Sequence, residues 1–372
     1  MNTRIQNRKS WKFSNLHMRL AEADMVFWIM PPLIILLIIG TVTQRWIGLY
    51  EAQKIFFSSP FIWVGPIPLP GTPILLGIIT LNLTTKFLFK SEWSFKKSGM
   101  IISHLGALIL LIGGLVTALS AEERYLVLPE GAQTPYIYHY TEREMMIFEG
   151  EKPFASLPYN EINEWNAAEL PFTINILSKC ENCAISKREE SKAYDPKHEY
   201  HAMAQFMALS PKKPEKEPEA NLTGFEFELS GTDTDGHYIA FDGMPKSIEF
   251  EANGKQFAMI FGKSQESLPF NVRLIDFVKD DYTGTSMAKN YYSDIEIMDG
   301  ESTWPARIEM NKPLRFKGYT LFQSSFDQSE LGEVSIFSVV KNNGWLFPYL
   351  GTAVLAFGLL LHVLIVCVRR TK

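Results

Sequence analysis

Four apolar windows, residues 25–42, 73–89, 98–119 and 345–368, constrain this chain before anything else does, because each can cross the roughly 30 Å hydrocarbon core of a bilayer. With 46% hydrophobic residues a soluble fold would space them periodically, whereas here they are clustered. The third window is the most demanding. It holds no acid, lysine or arginine, and its one ionisable residue is His104. At about 100° per residue, Gly99, Gly106, Gly113 and Ser120 fall on one stripe flanked by Ser103 and Thr117, which is a helix-packing face. His104 falls nearly opposite, with Met100, Ala107, Leu108 and Leu111. The second window is the weakest, since Pro66, Pro68, Pro70 and Pro73 crowd one end and Asn82 interrupts it. A kinked or re-entrant helix is the alternative there.

Orientation follows from the basic residues. Arg4, Arg8, Lys9, Lys12 and Arg19 precede the first span, Lys86, Lys90, Lys96 and Lys97 lie between the second and third, and Arg369, Arg370 and Lys372 end the chain. The positive-inside rule puts all three groups in the cytoplasm. The expected layout is a cytoplasmic basic arm (1–24), three transmembrane helices (25–119), an extracytoplasmic domain (120–344), and a fourth helix with a cytoplasmic tail (345–372). No small-residue cleavage site follows the first span, so it reads as uncleaved. The aromatics Trp46, Tyr50, Phe56, Phe57, Phe61 and Trp63 of the first outer connection suit the headgroup level. Residues 120–344 carry 22 Lys plus Arg against 37 Asp plus Glu, a net charge of −15, although the whole chain is only −5. That acidity argues against nucleic acid as a partner. The expected location is the cytoplasmic (inner) membrane, with the large domain on the periplasmic or outer side.

The 120–344 segment reads as β. Short alternating runs such as 124–128, 144–148, 172–177, 225–229, 257–261, 271–277 and 319–323 recur between Gly, Asn, Asp and Pro turns. The predicted fold is a membrane protein of four transmembrane α-helices with a large extracytoplasmic antiparallel β-rich domain, a sandwich or open barrel, between helices three and four. The pattern stops between Lys187 and Ala220, and residues 211–218 read as a solvated loop. Residues of about 180–220 are therefore expected to be a loop or insertion, with a candidate subdomain boundary.

His104 and His362 each lie about six residues from the cytoplasmic end of their spans, roughly 9 Å inside the boundary at 1.5 Å per residue. An imidazole in hydrocarbon needs a hydrogen bond or a metal, and intramembrane ionisable residues tend to mark function. For His104 the readings are a haem ligand, a proton-handling group, or a structural hydrogen bond to a neighbouring helix. His362 shares a face with Gly351, Leu355 and Gly358, which favours packing. Cys180-Glu181-Asn182-Cys183 reads as a local disulfide in an oxidising compartment. Ala184 in place of His excludes c-type haem attachment, and no βαβ pattern supports a thioredoxin-like site. The rival is zinc, with His198 and His201 completing the set, although H-x2-H is shorter than zinc sites prefer. Cys367, at the inner end of the last span, reads as an inert apolar residue. No hydrolase elbow, phosphate-binding glycine loop or H-E-x-x-H pattern occurs, so a self-contained active site is not expected and no catalytic residue is assigned.

Several pieces resemble the ResB or CcsB family of cytochrome c biogenesis proteins. They are Gly40-Thr41-Val42-Thr43-Gln44, Ser103-His104-Leu105-Gly106 through Gly113-Gly114, then Glu123, Tyr125, Leu126 and Gly131. The most specific is the spaced series Leu268-Pro269-Phe270, Tyr292-Ser293-Asp294, Met310-Asn311-Lys312-Pro313-Leu314, Gly318-Tyr319 and Gln323-Ser324-Ser325. The resemblance implies a partner-dependent subunit of a cytochrome c synthase. With a CcsA or ResC-type membrane protein it would deliver haem b across the lipid bilayer and support its thioether attachment to apocytochrome c. The tryptophan-rich haem-handling segment of such a partner does not occur here. By position His104 matches the family's transmembrane histidine, implying one axial haem ligand with the other from the partner, while His362 carries over less directly as a cofactor-binding residue. The rival readings are a b-type redox protein with haem between His104 and His362, and a non-catalytic membrane anchor.

Overall fold

Inside hydrocarbon each backbone N–H must find a carbonyl in its own segment, so the apolar windows fold as helices. The computed structural model describes residues 19–162, 170–190, 195–329 and 332–370, so Arg4, Arg8, Lys9, Lys12 and Lys372 lie outside the described residues. Helix α1 spans Ala23–Ile47, α2 Thr72–Thr85, α3 Ser98–Ser120 and α4 Phe347–Arg370. A π-helical turn, Lys86–Lys90, carries α2 onward. With that extension all four helices are long and apolar enough to span a bilayer, which makes this a membrane protein.

The second window is thus a continuous helical run, and its two awkward features have local explanations. Pro73 sits in the first turn of α2, where a missing N–H costs no intrahelical bond. Asn82 is buried, and its Nδ2 donates to the carbonyls of Leu20 (2.5 Å) and Glu22 (2.8 Å), tying α2 to the chain entering α1. Between α1 and α2 a hairpin forms from β1 (Phe61–Val64) and β2 (Ile67–Pro70).

The glycine stripe of α3 meets α4. A Cβ on Gly99 would collide with the backbone of His362, one on Gly106 with Leu355, and one on Gly113 with Phe347. The fit is reciprocal, since a Cβ on Gly358 would meet Ser103 and one on Gly351 would meet Leu110. Backbone approach this close replaces the hydrophobic effect, which lipid does not supply, with dispersion.

The chain divides into two compact units, Met1–Glu122 with Lys341–Lys372, and Glu123–Val340. The second is β-rich. Its strands are β3 (Glu122–Pro129), β4 (Gln133–Glu149), β5 (Lys152–Pro158), β6 (Thr173–Cys180), β7 (Cys183–Lys187), β8 (Met207–Pro211), β9 (Gly224–Ser230) and β10 (Gly236–Phe241). They continue as β11 (Ile248–Ala252), β12 (Lys255–Asp281), β13 (Ala288–Asp299), β14 (Ser302–Glu309), β15 (Leu314–Phe316), β16 (Tyr319–Ser329) and β17 (Gly332–Lys341). One long sheet runs β14-β13-β12-β4-β3-β17-β16-β15, with β11 added on β12 and β5 on β4. A smaller sheet runs β10-β9-β6, and β7 pairs with β8. The pairings along β12, β4 and β9 are antiparallel.

The antiparallel β-rich unit holds two hydrophobic cores. The first core lies between the small sheet and the β4-β5-β11-β12 part of the large one, as in a sandwich, and is filled by Phe225, Phe227, Phe250, Phe257, Met259 and Phe261. The second gathers both ends of the large sheet, Ile308 of β14 and Leu321 of β16, around Leu126, Val272, Ile297 and Phe337, as a sheet curling on itself does.

Strand β12 serves both cores, so the separate runs expected at 257–261 and 271–277 are one strand of 27 residues. Phe257, Met259 and Phe261 face the first core, and Leu268, Phe270, Val272 and Leu274 the second. The inward phase switches from odd to even numbers between them. Register shifts against β4 at Lys263/Gln265 and Ser267/Val272 lie between the start of the first run and the end of the second.

The stretch around 180–220 folds on this frame. The β7–β8 hairpin and a turn at Ala202–Gln205 enclose a small core of Cys180, Cys183, Ala204, Leu209, Ile239 and Phe241. Lys212–Glu217 is exposed, as the proline and lysine composition predicts.

Candidate functional site

His104 stands in the second turn of α3, on the side away from α4. Helical spacing puts Lys97, Met100, Ile101 and His104 on one face. That face forms one wall of a cleft of about 310 Å³. The other walls are Ala21, Glu22 and Ala23 before α1, and Lys86, Lys90, Ser91 and Glu92 at the end of α2. Among the described residues the His104 ring has no hydrogen-bond partner, so the structural bond to a neighbouring helix is not made there.

The lysines are not equivalent. Lys90 Nζ lies 2.9 Å from Glu22 and Lys97 Nζ 2.7 Å from Glu92, whereas Lys86 makes no ion pair among the described residues. The lining combines apolar side chains (Ala21, Ala23, Met100, Ile101), three lysines, two glutamates and one imidazole. This donor set suits a planar, anionic, metal-bearing molecule. At about 310 Å³ the cleft is at the lower end of ligand pockets, roughly 300–1,000 Å³.

His362 occupies a different place. Its backbone faces Gly99 within the α3–α4 contact, and it does not line the His104 cleft. The two imidazoles are therefore not brought to one site. His362 Nδ1 is buried without a hydrogen-bond partner among the described residues, which costs about 1–3 kcal/mol.

In the β-rich unit, Cys180 and Cys183 form a disulfide across the β6–β7 turn, with Cα atoms 5.4 Å apart. The histidines of the zinc reading are engaged elsewhere. His198 stacks on His237 at 4.5 Å, and His201 lies against Tyr238 with its Nε2 2.9 Å from the Asp235 carbonyl. Among the described residues no three His, Cys, Asp or Glu side chains converge as a metal site would require.

Burial, and next the neighbouring His198, hold His237 below the ordinary value of 6.5. The folded state then favours the neutral ring. Its contribution to stability is complete above pH 6.5 and is lost as pH falls from there through the lower folded value. The denaturation midpoint of the β-rich unit should drop between about pH 7 and pH 5, and His237→Phe should flatten that slope. An identical slope in the variant would remove His237 as the cause.

Much of the spaced series from Leu268 to Ser325 packs or hydrogen-bonds within the β-rich unit. Leu268, Phe270, Leu314 and Tyr319 belong to the second core. Buried Ser293 Oγ donates to Gln323 Oε1 at 2.7 Å and lies 2.7 Å from Ser335 Oγ, while Asp294 takes both Nε and Nη2 of Arg307 at 2.7 and 2.8 Å. Lys317 (φ +47°) and Gly318 (φ +85°) make the left-handed turn that returns β15 to β16.

Lys86 and the Ala21–Ala23 wall were not singled out from sequence as site residues. The one available signal was a lysine seven residues after Ile79, still inside an apolar run.

Residues 243–361 match the ResB-like family. Over 110 residues the chain is 33% identical to the cytochrome c biogenesis protein CcsB of Picosynechococcus sp., which covers 28% of this chain and 23% of that protein. Over 111 residues it is 32% identical to the protein NrfI of Wolinella succinogenes, covering 29% of this chain and 12% of the relative. The matched stretch is thus less than a quarter of the length of either relative. The Leu268 to Ser325 series lies inside residues 243–361, and His104, His362 and Cys180 to Ala220 lie outside.

Proposed function

We propose that this chain, whose residues 243–361 match the ResB-like family, belongs to that family and is a membrane subunit of a cytochrome c maturation system. With a second membrane protein of the CcsA or ResC kind, it takes haem b as cargo and presents it for attachment to apocytochrome c on the periplasmic side of the inner membrane. The family match over residues 243–361 carries this reading. The His104 cleft supports the role within it: an unpartnered imidazole offers a ligand to iron, apolar side chains accept a ring, and the cleft's small size leaves the rest of the ring to a second chain. The net charge of −15 on residues 120–344 suits a basic polypeptide partner. No catalytic residue is assigned to this chain, which acts through its partner.

The test is a reduced-minus-oxidised haem spectrum of the purified full chain, alone and co-expressed with its partner. Haem is expected with the partner, and His104→Ala should lower its occupancy at least tenfold, an order-of-magnitude figure for loss of a metal ligand. His362→Ala should retain it. Haem held equally well by the chain alone, and lost in both variants, would establish the b-type redox reading instead. Haem held with the partner but indifferent to His104→Ala would leave the chain as an anchor.

A further inference from the structure

The three lysines of the His104 cleft face two glutamates, Glu22 and Glu92, and those two neutralise Lys90 and Lys97. The remaining positive charge of the cleft is that of Lys86. The residue is partly buried at the end of an apolar helix and makes no ion pair among the described residues. A cation beside an apolar surface with no ion-pair partner is free to take an anion. Its backbone setting is unusual as well. Lys86 opens the π-helical turn Lys86–Lys90, a local widening that recurs at functional sites and here sets the lysine against the α3 face bearing His104.

Resting on the haem reading above, we propose that Lys86 is the carboxylate-binding group of this cleft, receiving a propionate of the porphyrin whose iron His104 ligates. An imidazole and an ammonium in one cleft suit a molecule with both a metal and a carboxylate. Met100 and Ile101 supply the apolar surface between them. Glu22 and Glu92 keep Lys90 and Lys97 from competing for the same carboxylate.

The test is a Soret titration of the full chain with its partner, in zwitterionic nanodiscs, using haem b and its dimethyl ester. Lys86→Gln should weaken haem b binding about tenfold, the range for losing a charge-assisted hydrogen bond, without changing the spectrum of the ligated iron. Lys86→Arg should restore most of the affinity. The dimethyl ester should bind the wild type about as weakly as haem b binds Lys86→Gln, and that variant should not distinguish the two ligands. The proposal falls if Lys86→Gln binds haem b like wild type, or if the ester is disfavoured equally in wild type and variant. It falls too if the Lys86 effect occurs only in anionic nanodiscs, which would assign Lys86 to a lipid headgroup. If His104→Ala abolishes binding while Lys86→Gln does not, the haem reading stands and this one alone fails. Wild type that takes up no haem overturns both.

Discussion

Arg143→Met is expected to destabilise the β-rich unit by about 3–5 kcal/mol, the range for removing one member of a buried charged network. Arg143 lies on β4 and is only 7% exposed. Its Nε meets Asp242 Oδ2 at 3.2 Å, Nη1 donates to the Thr141 carbonyl at 2.6 Å, and Nη2 to the Asn221 carbonyl at 3.1 Å. One side chain thus pins three segments: the middle of β4, the chain leaving the 180–220 stretch, and the turn after β10. Methionine fills much of the volume but leaves Asp242 charged and two carbonyls without that donor. Asp242→Asn in the Arg143→Met background should recover part of the loss, because the uncompensated charge is then gone. Denaturation midpoints of the full chain in detergent would decide the matter. A shift worth less than about 1 kcal/mol in Arg143→Met would mean that the network is replaceable.

Gly106→Val should separate α3 from α4, with an expected cost of about 3 kcal/mol or more. A Cβ at this position would stand 2.7 Å from Leu355 Cα and 2.8 Å from Leu355 Cβ. Rotation of a side chain cannot relieve a contact with backbone, so one helix must move. Gly114 on the same helix is the control, since a Cβ there meets nothing within 4 Å. Gly114→Val should melt close to wild type and Gly106→Val far below it. Equal melting temperatures for the two variants would show that the stripe is not a packing face.

The two substitutions differ in how much of their setting could be read beforehand. The Gly106 contact was legible because helical period is local: Gly99, Gly106 and Gly113 share a face in any straight helix, and small residues in lipid have packing as their main use. Arg143 was not legible, because the groups that receive it lie 78 and 99 residues further along the chain. No spacing rule connects positions joined only by sheet topology. The same difference governs β12. Its apolar runs were visible, but that two runs of opposite phase form one strand is set by pairing with β4, whose partners lie far away in the chain.

The stretch at 180–220 lacked a signal for a related reason. Its strands are five residues each, bounded by Lys187 and Pro211, and several of its core positions are cysteine or alanine, which alternate too weakly to stand out. Its disulfide was legible, since C-x-x-C is a local arrangement.

What the sequence determined by itself is therefore whatever depends on near neighbours: four helices of spanning length, the stripe on α3, the β pattern that follows it, the Cys180–Cys183 pair and the presence of one ionisable residue, His104, in the third span. The tertiary structure alone decided what surrounds that histidine. Helices α2 and α3 meet so that Lys86 lines its cleft, His362 is held in the α3–α4 contact and does not line it, and Glu22 and Glu92 pair with two of three lysines. Hydrophobic length and helical period act over a few residues, whereas the partners of a side chain are set by which surfaces pack, and that is a property of the whole fold.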